Sequence, residues 1–284
     1  MDTIKNSKVF SLLIITMIYI MAAALGLYVY IRLPFSFWAD LLIADVVATV
    51  FVFIFSVILG NASVYDPYWS VQPVVIIAGY AFTCRLTSAT LLLLISVIYW
   101  GIRLTANWAY GFGGLNHQDW RYTKLKEDTG KLYPFINFAG IHMFPTLVVY
   151  GCILPAVFTA VSEVRANAGS IAGTVICIGA ATLQLFADGQ MHKFRKSGSK
   201  SLIRTGLWKY ARHPNYLGEI LMWWGIGIQA VSVMPGRWWL LAGALANTIM
   251  FFTVSIPMAD KRQSAKPGYD EYRAGTRSLL PIPR

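Results

Sequence analysis

Residues 9–31 read VFSLLIITMIYIMAAALGLYVYI and carry no charged side chain. A helix needs about 20 apolar residues to cross a bilayer, so this stretch is long enough to span one. A helix also satisfies all of its backbone N–H and C=O groups internally, as the hydrocarbon of a bilayer requires. The run is longer than the apolar part of a secretory signal, and we therefore interpret it as an uncleaved first span.

The same apolar pattern recurs along the rest of the sequence. The chain is 56% hydrophobic and 13% charged, a composition typical of membrane proteins rather than of soluble domains. The further runs cover residues 38–60, 72–84, 86–102, 134–160, 168–187, 217–233 and 237–258. Arg85 interrupts residues 72–104, which could form two short helices or one long tilted helix. We expect an all-α, polytopic transmembrane helical bundle with about eight spans, or seven as the alternative.

The distribution of basic residues predicts which loops face the cytoplasm. With eight spans, the Lys and Arg residues fall mainly on one side of the membrane, and the positive-inside rule makes that side cytoplasmic. The N- and C-termini lie there too, and we expect an integral, multi-pass protein of the bacterial inner membrane. We treat residues 1–284 as a single membrane-embedded domain. Its basic segments begin with Lys5 and Lys8, and its cytoplasmic parts are the loops 61–73, 105–133 and 189–213 and the tail 259–284.

The net charge of +11 has two interpretations. Most of the basic residues are explained by contact with anionic lipid headgroups. The segment 193–212 holds seven Lys or Arg residues between two spans, which indicates a site for a phosphate-bearing ligand. No soluble module remains to bind nucleic acid. The cysteines occur singly in apolar runs and predict neither a metal site nor a disulfide framework.

A stripe of polar residues follows one face of the sixth predicted span. Gln184, Asp188, His192 and Arg195 occur at i, i+4, i+8 and i+11, which places them on the same side of a helix. Ionisable residues inside a membrane mark functional sites by default. The alternative is that Asp188 only pairs with His192 or Arg195 at the level of the headgroups.

The stretch RTGLWKYARHPNYLGE at 204–219 leads into the next apolar helix. Asn215 and Glu219 are one turn apart, so their side chains lie one above the other. An unpaired carboxylate at the position of Glu219 would cost about 3 kcal/mol, so we expect it to have a partner, either a ligand amide or an Arg of another helix. Arg212 and His213 precede the helix, whose free N–H groups attract anions.

The loop NASVYDPYWSVQP at 61–73 supplies a candidate acid. Aromatic residues are common at membrane interfaces and need no further explanation, but Asp66 does. A carboxyl group beside a tyrosine hydroxyl can protonate or polarise a substrate oxygen. The sequence contains no G-x-G-x-x-G, Walker, G-x-S-x-G or H-E-x-x-H motif, so membrane helices and basic loops must hold any nucleotide.

The pattern G-L-W-x-Y-x-R-H-P-N-Y-x-G-E at 206–219, followed by an apolar Trp-rich helix, resembles the steroid 5α-reductase superfamily. It is most similar to a bacterial branch of unassigned membrane proteins, and more distantly to the isoprenylcysteine carboxyl methyltransferases. Supporting elements are DPYWS at 66–70, WGIRLTANW at 100–108, QDWRY at 118–122 and KPGYDEYRAGTRSLLP at 266–281.

The resemblance implies an oxidoreductase of lipid metabolism, an enzyme that uses NADPH to reduce an activated C=C bond in a steroid, isoprenoid or enoyl lipid. Asn215 and Glu219 match the family's Asn-x-x-x-Glu, which contacts the nicotinamide carboxamide. Asp188 and Arg195 match two further cofactor ligands, and Gln184 stands where the steroid enzymes have Asn. The candidate cofactor-binding set is completed by His192, Arg204, Tyr210, Arg212, His213, Tyr216, Arg262 and Tyr272.

The substrate side of the resemblance is less complete. The steroid enzymes place a Gln–Glu pair and a Tyr at the substrate carbonyl, and this sequence shows no such pair. Asp66, Tyr68 and Trp100 are the catalytic candidates by position.

The alternative is a membrane methyltransferase that uses S-adenosylmethionine, because those enzymes share a short R-H-P-x-Y element. The tail of this chain has Asp270 and Glu271 but no Glu-Glu pair directly after the last span, which favours the reductase. A non-catalytic lipid-binding or transport protein is a third possibility, but no inverted repeat supports it. The sequence does not indicate an oligomeric state.

Overall fold

The computed structural model describes residues 7–283 and confirms an all-α fold, with no β-strand among those residues. Short 3₁₀- and π-helical turns join or interrupt the longer helices. The α-helices longer than four residues are α1 (Lys8–Tyr30), α2 (Phe37–Leu59), α3 (Tyr68–Thr83), α4 (Ser88–Gly111), α5 (Trp120–Thr129), α6 (Phe144–Val161), α7 (Ala168–Lys196), α8 (Pro214–Val233), α9 (Ala242–Met250), α10 (Ile256–Ser264) and α11 (Tyr269–Gly275). A one-turn helix at Tyr133–Ile136 and a π-helix at Asn137–Met143 lead into α6.

Within residues 7–283, six helical segments are long and apolar enough to cross a membrane. They are Lys8–Tyr30, Phe37–Leu59, Ser88–Gly111, Trp120–Val161, Ala168–Lys196 and Pro235–Ser264. The helices α3 and α8 cover the two remaining apolar runs of the sequence, so the expected number of about eight is an approximate count. Near Arg85 the chain forms two helices, because α3 ends at Thr83 and α4 begins at Ser88.

The most extensive contact in the bundle is between α7 and α8, and it depends on glycine. A Cβ atom on Gly218 would collide with the Gln184 side chain and with the Ala180 carbonyl oxygen. Gly173 and Gly225 likewise leave no room for a side chain at their contact. Small residues allow membrane helices to approach closely. This approach brings Gln184 of α7 against the first two turns of α8.

The loops 61–73 and 105–133 and the start of α1 contact one another at one end of the bundle. The amide of Asn61 donates to the Leu115 carbonyl, and the Tyr122 hydroxyl donates to Asp66. The ammonium group of Lys8 donates to the Tyr110 carbonyl, whereas Lys5 lies outside the described residues. These contacts join the loops 61–73 and 105–133 and the start of α1 into one surface.

Candidate functional site

Glu219 is the centre of a buried hydrogen-bond network between three helices. Its Oε2 accepts from Trp100 Nε1 of α4 at 2.9 Å and from Gln184 Nε2 of α7 at 2.7 Å. Its Oε1 accepts from Trp223 Nε1, one turn further along α8, at 2.9 Å. Hydrogen bonds to a charged group are stronger than those between neutral groups. The partners of this carboxylate therefore come from the protein itself, without a direct contact to an arginine.

Arg103 of α4 extends the network toward the loop end of the bundle. Its Nη1 donates to Asp188 Oδ2 and its Nη2 donates to Gln184 Oε1, both at 2.8 Å. Asn215 Nδ2 donates to the other oxygen of Asp188 at 3.3 Å. The structure thus brings together Gln184, Asp188, Asn215 and Glu219, four of the residues predicted to bind a cofactor. Asp188 pairs with Arg103, not with His192 or Arg195.

Two groups in this network retain capacity for a ligand. The Nε atom of Arg103 is buried and has no hydrogen-bond partner among the described residues. A carboxylate has about four acceptor positions, of which Glu219 uses three. A ligand amide could therefore donate to Glu219 without displacing an indole or the Gln184 amide. This combination of carboxylates, amides and a guanidinium fits the carboxamide and ribose groups of a nicotinamide cofactor.

The start of α8 is held by the tail of the chain. Arg212 Nε and His213 Nε2 both contact Asp260 Oδ1, at 3.3 and 2.8 Å. The backbone N–H groups of the same two residues donate to the carbonyls of Arg277 and Ser278. The structure places Arg212 and His213, two of the predicted cofactor-binding residues, against a carboxylate of the chain itself.

The other predicted cofactor residues occupy varied positions. Arg204 Nη1 lies 3.2 Å from Glu271 Oε2, and the Tyr272 hydroxyl donates to the Trp208 carbonyl. These contacts again join the tail to the segment before α8. Three further predicted residues are Tyr210, Tyr216 and His192. The Tyr210 carbonyl accepts from the Arg277 N–H, and the Tyr216 ring stacks on His213. His192 Nε2 lies 2.8 Å from Asn107 Oδ1.

A cluster of three cations lies at the loop end of the bundle. Burial and the neighbouring Arg262 and Arg195 guanidinium groups lower the pKa of Lys266. Arg262 also stacks on the ring of Trp120, with 4.0 Å between its guanidinium carbon and the ring centroid. Within residues 7–283 none of the three cations forms a salt bridge. We call Arg195, Arg262 and Lys266 the cationic cluster; its charge can pair with the phosphates of a ligand.

A second buried polar group lies between α2 and α3. The Tyr68 hydroxyl donates to Asp45 Oδ1 at 3.2 Å, and Gln72 Nε2 donates to Asp45 Oδ2 at 2.7 Å. All three residues line a cavity of about 380 Å³. Sequence reasoning had selected Tyr68 alone. An aspartate inside the second apolar run, and a Gln one turn after Tyr68, were signals that could have identified the other two.

The three catalytic candidates have separate partners in the structure. Asp66 accepts from the Tyr122 hydroxyl at 2.5 Å, and burial raises the pKa of Asp66 to about 6. Tyr68 contacts Asp45, and Trp100 donates to Glu219. The rings of Trp69 and Trp100 lie 6.2 Å apart and connect the Tyr68 region with the Glu219 network. Arg103, three residues after Trp100, was missed because a basic residue near a loop is also explained as a lipid anchor.

Comparisons with known proteins identify a family for this chain but name no activity. The chain is 24% identical over 197 residues to an uncharacterized protein of Schizosaccharomyces pombe, a match that covers 59% of this chain. The match spans 57% of the relative, so a little over half of that protein is represented. No solved structure matches. A family profile described as protein of unknown function, DUF1295, matches residues 52–276, and the chain belongs to this steroid 5α-reductase-like family.

Proposed function

We propose that this protein is a membrane-embedded, NADPH-dependent reductase of an activated C=C bond in a lipophilic substrate. The observation that carries the proposal is the Glu219 network, whose Asp188 lies about two helical turns before Arg195 of the cationic cluster on α7. Buried carboxylates and amides suit the nicotinamide end of the cofactor, and cations without a salt bridge among the described residues suit its phosphates. We also assign the chain to the branch of its family with the R-H-P-N-Y-x-G-E motif.

The network supplies the positions for the reactive end of the cofactor. Asn215 and Glu219 would hold the carboxamide, and Arg103 Nε would donate to a ribose or carboxamide oxygen. NADPH, when bound, supplies a hydride to the β-carbon of the conjugated C=C bond. Trp100 and Trp223 hold Glu219 in place by their indole N–H groups, and the centroids of their buried rings lie 4.8 Å apart.

The cationic cluster favours NADPH over S-adenosylmethionine as the cofactor. NADPH carries a pyrophosphate and a 2′-phosphate, whereas S-adenosylmethionine carries no phosphate. Arg195, Arg262 and Lys266 would pair with these phosphates by charge-assisted hydrogen bonds. Because the positive-inside rule places the basic loops in the cytoplasm, the cofactor would enter from the side on which NADPH is present. The expected location is the bacterial inner membrane, with both termini cytoplasmic.

The group formed by Asp45, Tyr68 and Gln72 supplies the acid. A proton on Asp45 would reverse its hydrogen bond with Tyr68 and leave the phenolic O–H free for a substrate carbonyl. This O–H stabilises the negative charge that develops on the oxygen as the β-carbon gains the hydride. The proton of Asp45, relayed through the Tyr68 hydroxyl, would then pass to the α-carbon and leave Asp45 ionised, so that a hydride and a proton convert C=C into CH–CH. Gln72 keeps the Asp45 carboxyl oriented toward Tyr68.

Calorimetric titration of the purified protein with NADPH tests the proposal. We expect saturable binding in the wild type and binding at least about tenfold weaker in Arg262→Ala, because a hydrogen bond to a charged group contributes about 1.5–3 kcal/mol. Arg85→Ala, which removes an exposed arginine outside the loop surface, is the matched control and should bind as the wild type does. Binding of S-adenosylmethionine in place of NADPH would indicate the methyltransferase, and binding of neither would refute the cofactor site.

A further inference from the structure

A long groove lies between the first two helices and α3. The helix α1 packs along α2, whereas α3 packs on α4 and α6, and the cavity of about 380 Å³ remains between these two sets. Its volume is in the range of small-molecule sites. Leu27 and Val75 line the groove and remain exposed, so one side is open to the bilayer. Small residues form much of its wall, among them Ala22, Ala23, Gly26, Ala44, Ala48 and Gly79.

The groove is elongated along the membrane normal. Tyr68 and Tyr80 both line it and are twelve residues apart on α3, a separation of about 18 Å at 1.5 Å per residue. At the far end the hydroxyls of Tyr30 and Tyr80 bond each other at 2.9 Å. These two hydroxyls therefore require no polar ligand group. The length and the apolar wall suit a single extended hydrocarbon chain.

The inner end of the groove contains a polar atom without a partner. Gln72 is 7% exposed, and its Nε2 is used by Asp45. Its Oε1 is buried and accepts no hydrogen bond from the described residues. A buried acceptor without a partner costs about 1–3 kcal/mol, which a ligand O–H or N–H group would recover. We therefore expect the ligand of this groove to carry a hydrogen-bond donor in its head group.

We propose that the groove binds a long-chain carboxylic acid in its protonated form. The acid O–H donates to Gln72 Oε1, the chain follows α3 toward Tyr80, and the carbonyl faces Tyr68. The role of this acid as a substrate rests on the proposed function. The reductase would reduce the C=C bond that is conjugated to the carboxyl group of the bound acid. The substrate would then be a 2-enoic acid rather than a fused-ring steroid, since the wall leaves a narrow channel open on one side.

Parinaric acid, a single-chain fluorescent fatty acid, is the probe. Energy transfer from tryptophan to the probe measures its binding to protein in detergent, without a cofactor. We expect saturable transfer, about tenfold tighter for the acid than for its methyl ester, because the ester lacks the donor. In Gln72→Leu the preference for the acid should fall below about threefold, because the acceptor is gone.

A filled groove provides the second arm of the test. A Cβ on Gly79 meets no atom within 4 Å, so Gly79→Leu should fold and project its side chain into the groove. Gly179 of α7 is equally unobstructed and exposed outside the groove, which makes Gly179→Leu the matched control. We expect at least about tenfold weaker binding of the probe in Gly79→Leu and unchanged binding in Gly179→Leu.

Several results would overturn the inference. Equal binding of the acid and its ester would refute the assignment of the head group to Gln72. Unchanged binding of the probe in Gly79→Leu would refute the groove as its binding site. Displacement of the probe by cholesterol but not by palmitic acid would indicate a fused-ring ligand. The assay needs no NADPH, so it is independent of the proposed cofactor. If the groove binds the acid but the protein does not bind NADPH, this inference stands and only the proposed reductase is refuted.

Discussion

The pair between Arg103 and Asp188 offers the sharpest test of the electrostatics of the site. Arg103 makes two hydrogen bonds of 2.8 Å, one to Asp188 and one to Gln184, and the paired side chains are 4% and 16% exposed. Removing one member of a buried pair costs about 3–5 kcal/mol, because the other charge is left without compensation. Arg103→Met keeps an apolar stem in place. We expect it to lower the free energy of unfolding by about 3–5 kcal/mol.

A second substitution separates stranded charge from lost packing. Asp188→Asn in the Arg103→Met background removes the uncompensated carboxylate, so the double variant should be about 2 kcal/mol more stable than Arg103→Met alone. Unfolding in detergent, followed by far-ultraviolet circular dichroism, measures all four proteins of the cycle. The exposed pair of Lys124 and Asp128 is the control, with an expected coupling below about 0.5 kcal/mol. Additive effects of the Arg103 and Asp188 substitutions would refute the reasoning.

Two further predictions concern the helix contact and the loop acid. Gly218→Ala should destabilise the fold by about 1–3 kcal/mol, because a Cβ would collide with Gln184. Gly179→Ala is the control, because its Cβ would meet open space and should not destabilise the fold. Equal shifts of the unfolding temperature in the two variants would contradict this prediction. Since burial raises the pKa of Asp66 from 3.8 to about 6, the folded state holds this proton more tightly than the unfolded state. The resulting stabilisation is complete below about pH 4 and is lost as the pH rises through about 6, and Asp66→Asn should lack this loss when thermal unfolding is measured across that range.

The fold was predictable to the extent that it depends on local composition. An apolar run long enough to cross the bilayer becomes helical wherever its neighbours lie. Most predicted runs therefore fall in one α-helix of the structure, whereas 134–160 and 237–258 are divided by π- or 3₁₀-helical segments. The region around Arg85 was ambiguous because both one and two helices satisfy the same composition. The structure resolves it with a break at residues 84–87, where Thr87 caps α4 by accepting from the Thr90 N–H.

The site was predictable where its residues lie on one helix. Helical spacing places Gln184 with Asp188 and Asn215 with Glu219, and both pairs meet in the network. Partners on other helices were beyond this reasoning. Glu219 requires donors, but only the packing of α4 against α7 and α8 determines that Trp100 and Arg103 are near, and no local pattern encodes that contact.

The helix α3 lies between the groove and the Glu219 network. Consecutive residues of a helix point in different directions, so Tyr68 faces the groove while Trp69 packs toward Trp100. Trp100 in turn binds Glu219, and a Cβ on Gly101 would collide with the Val74 side chain and the Ser70 carbonyl, which shows how closely α3 and α4 approach. Because these packed residues separate the two sites, the proposed hydride transfer requires a shift of α3 or of the Trp100 ring that opens the wall between them.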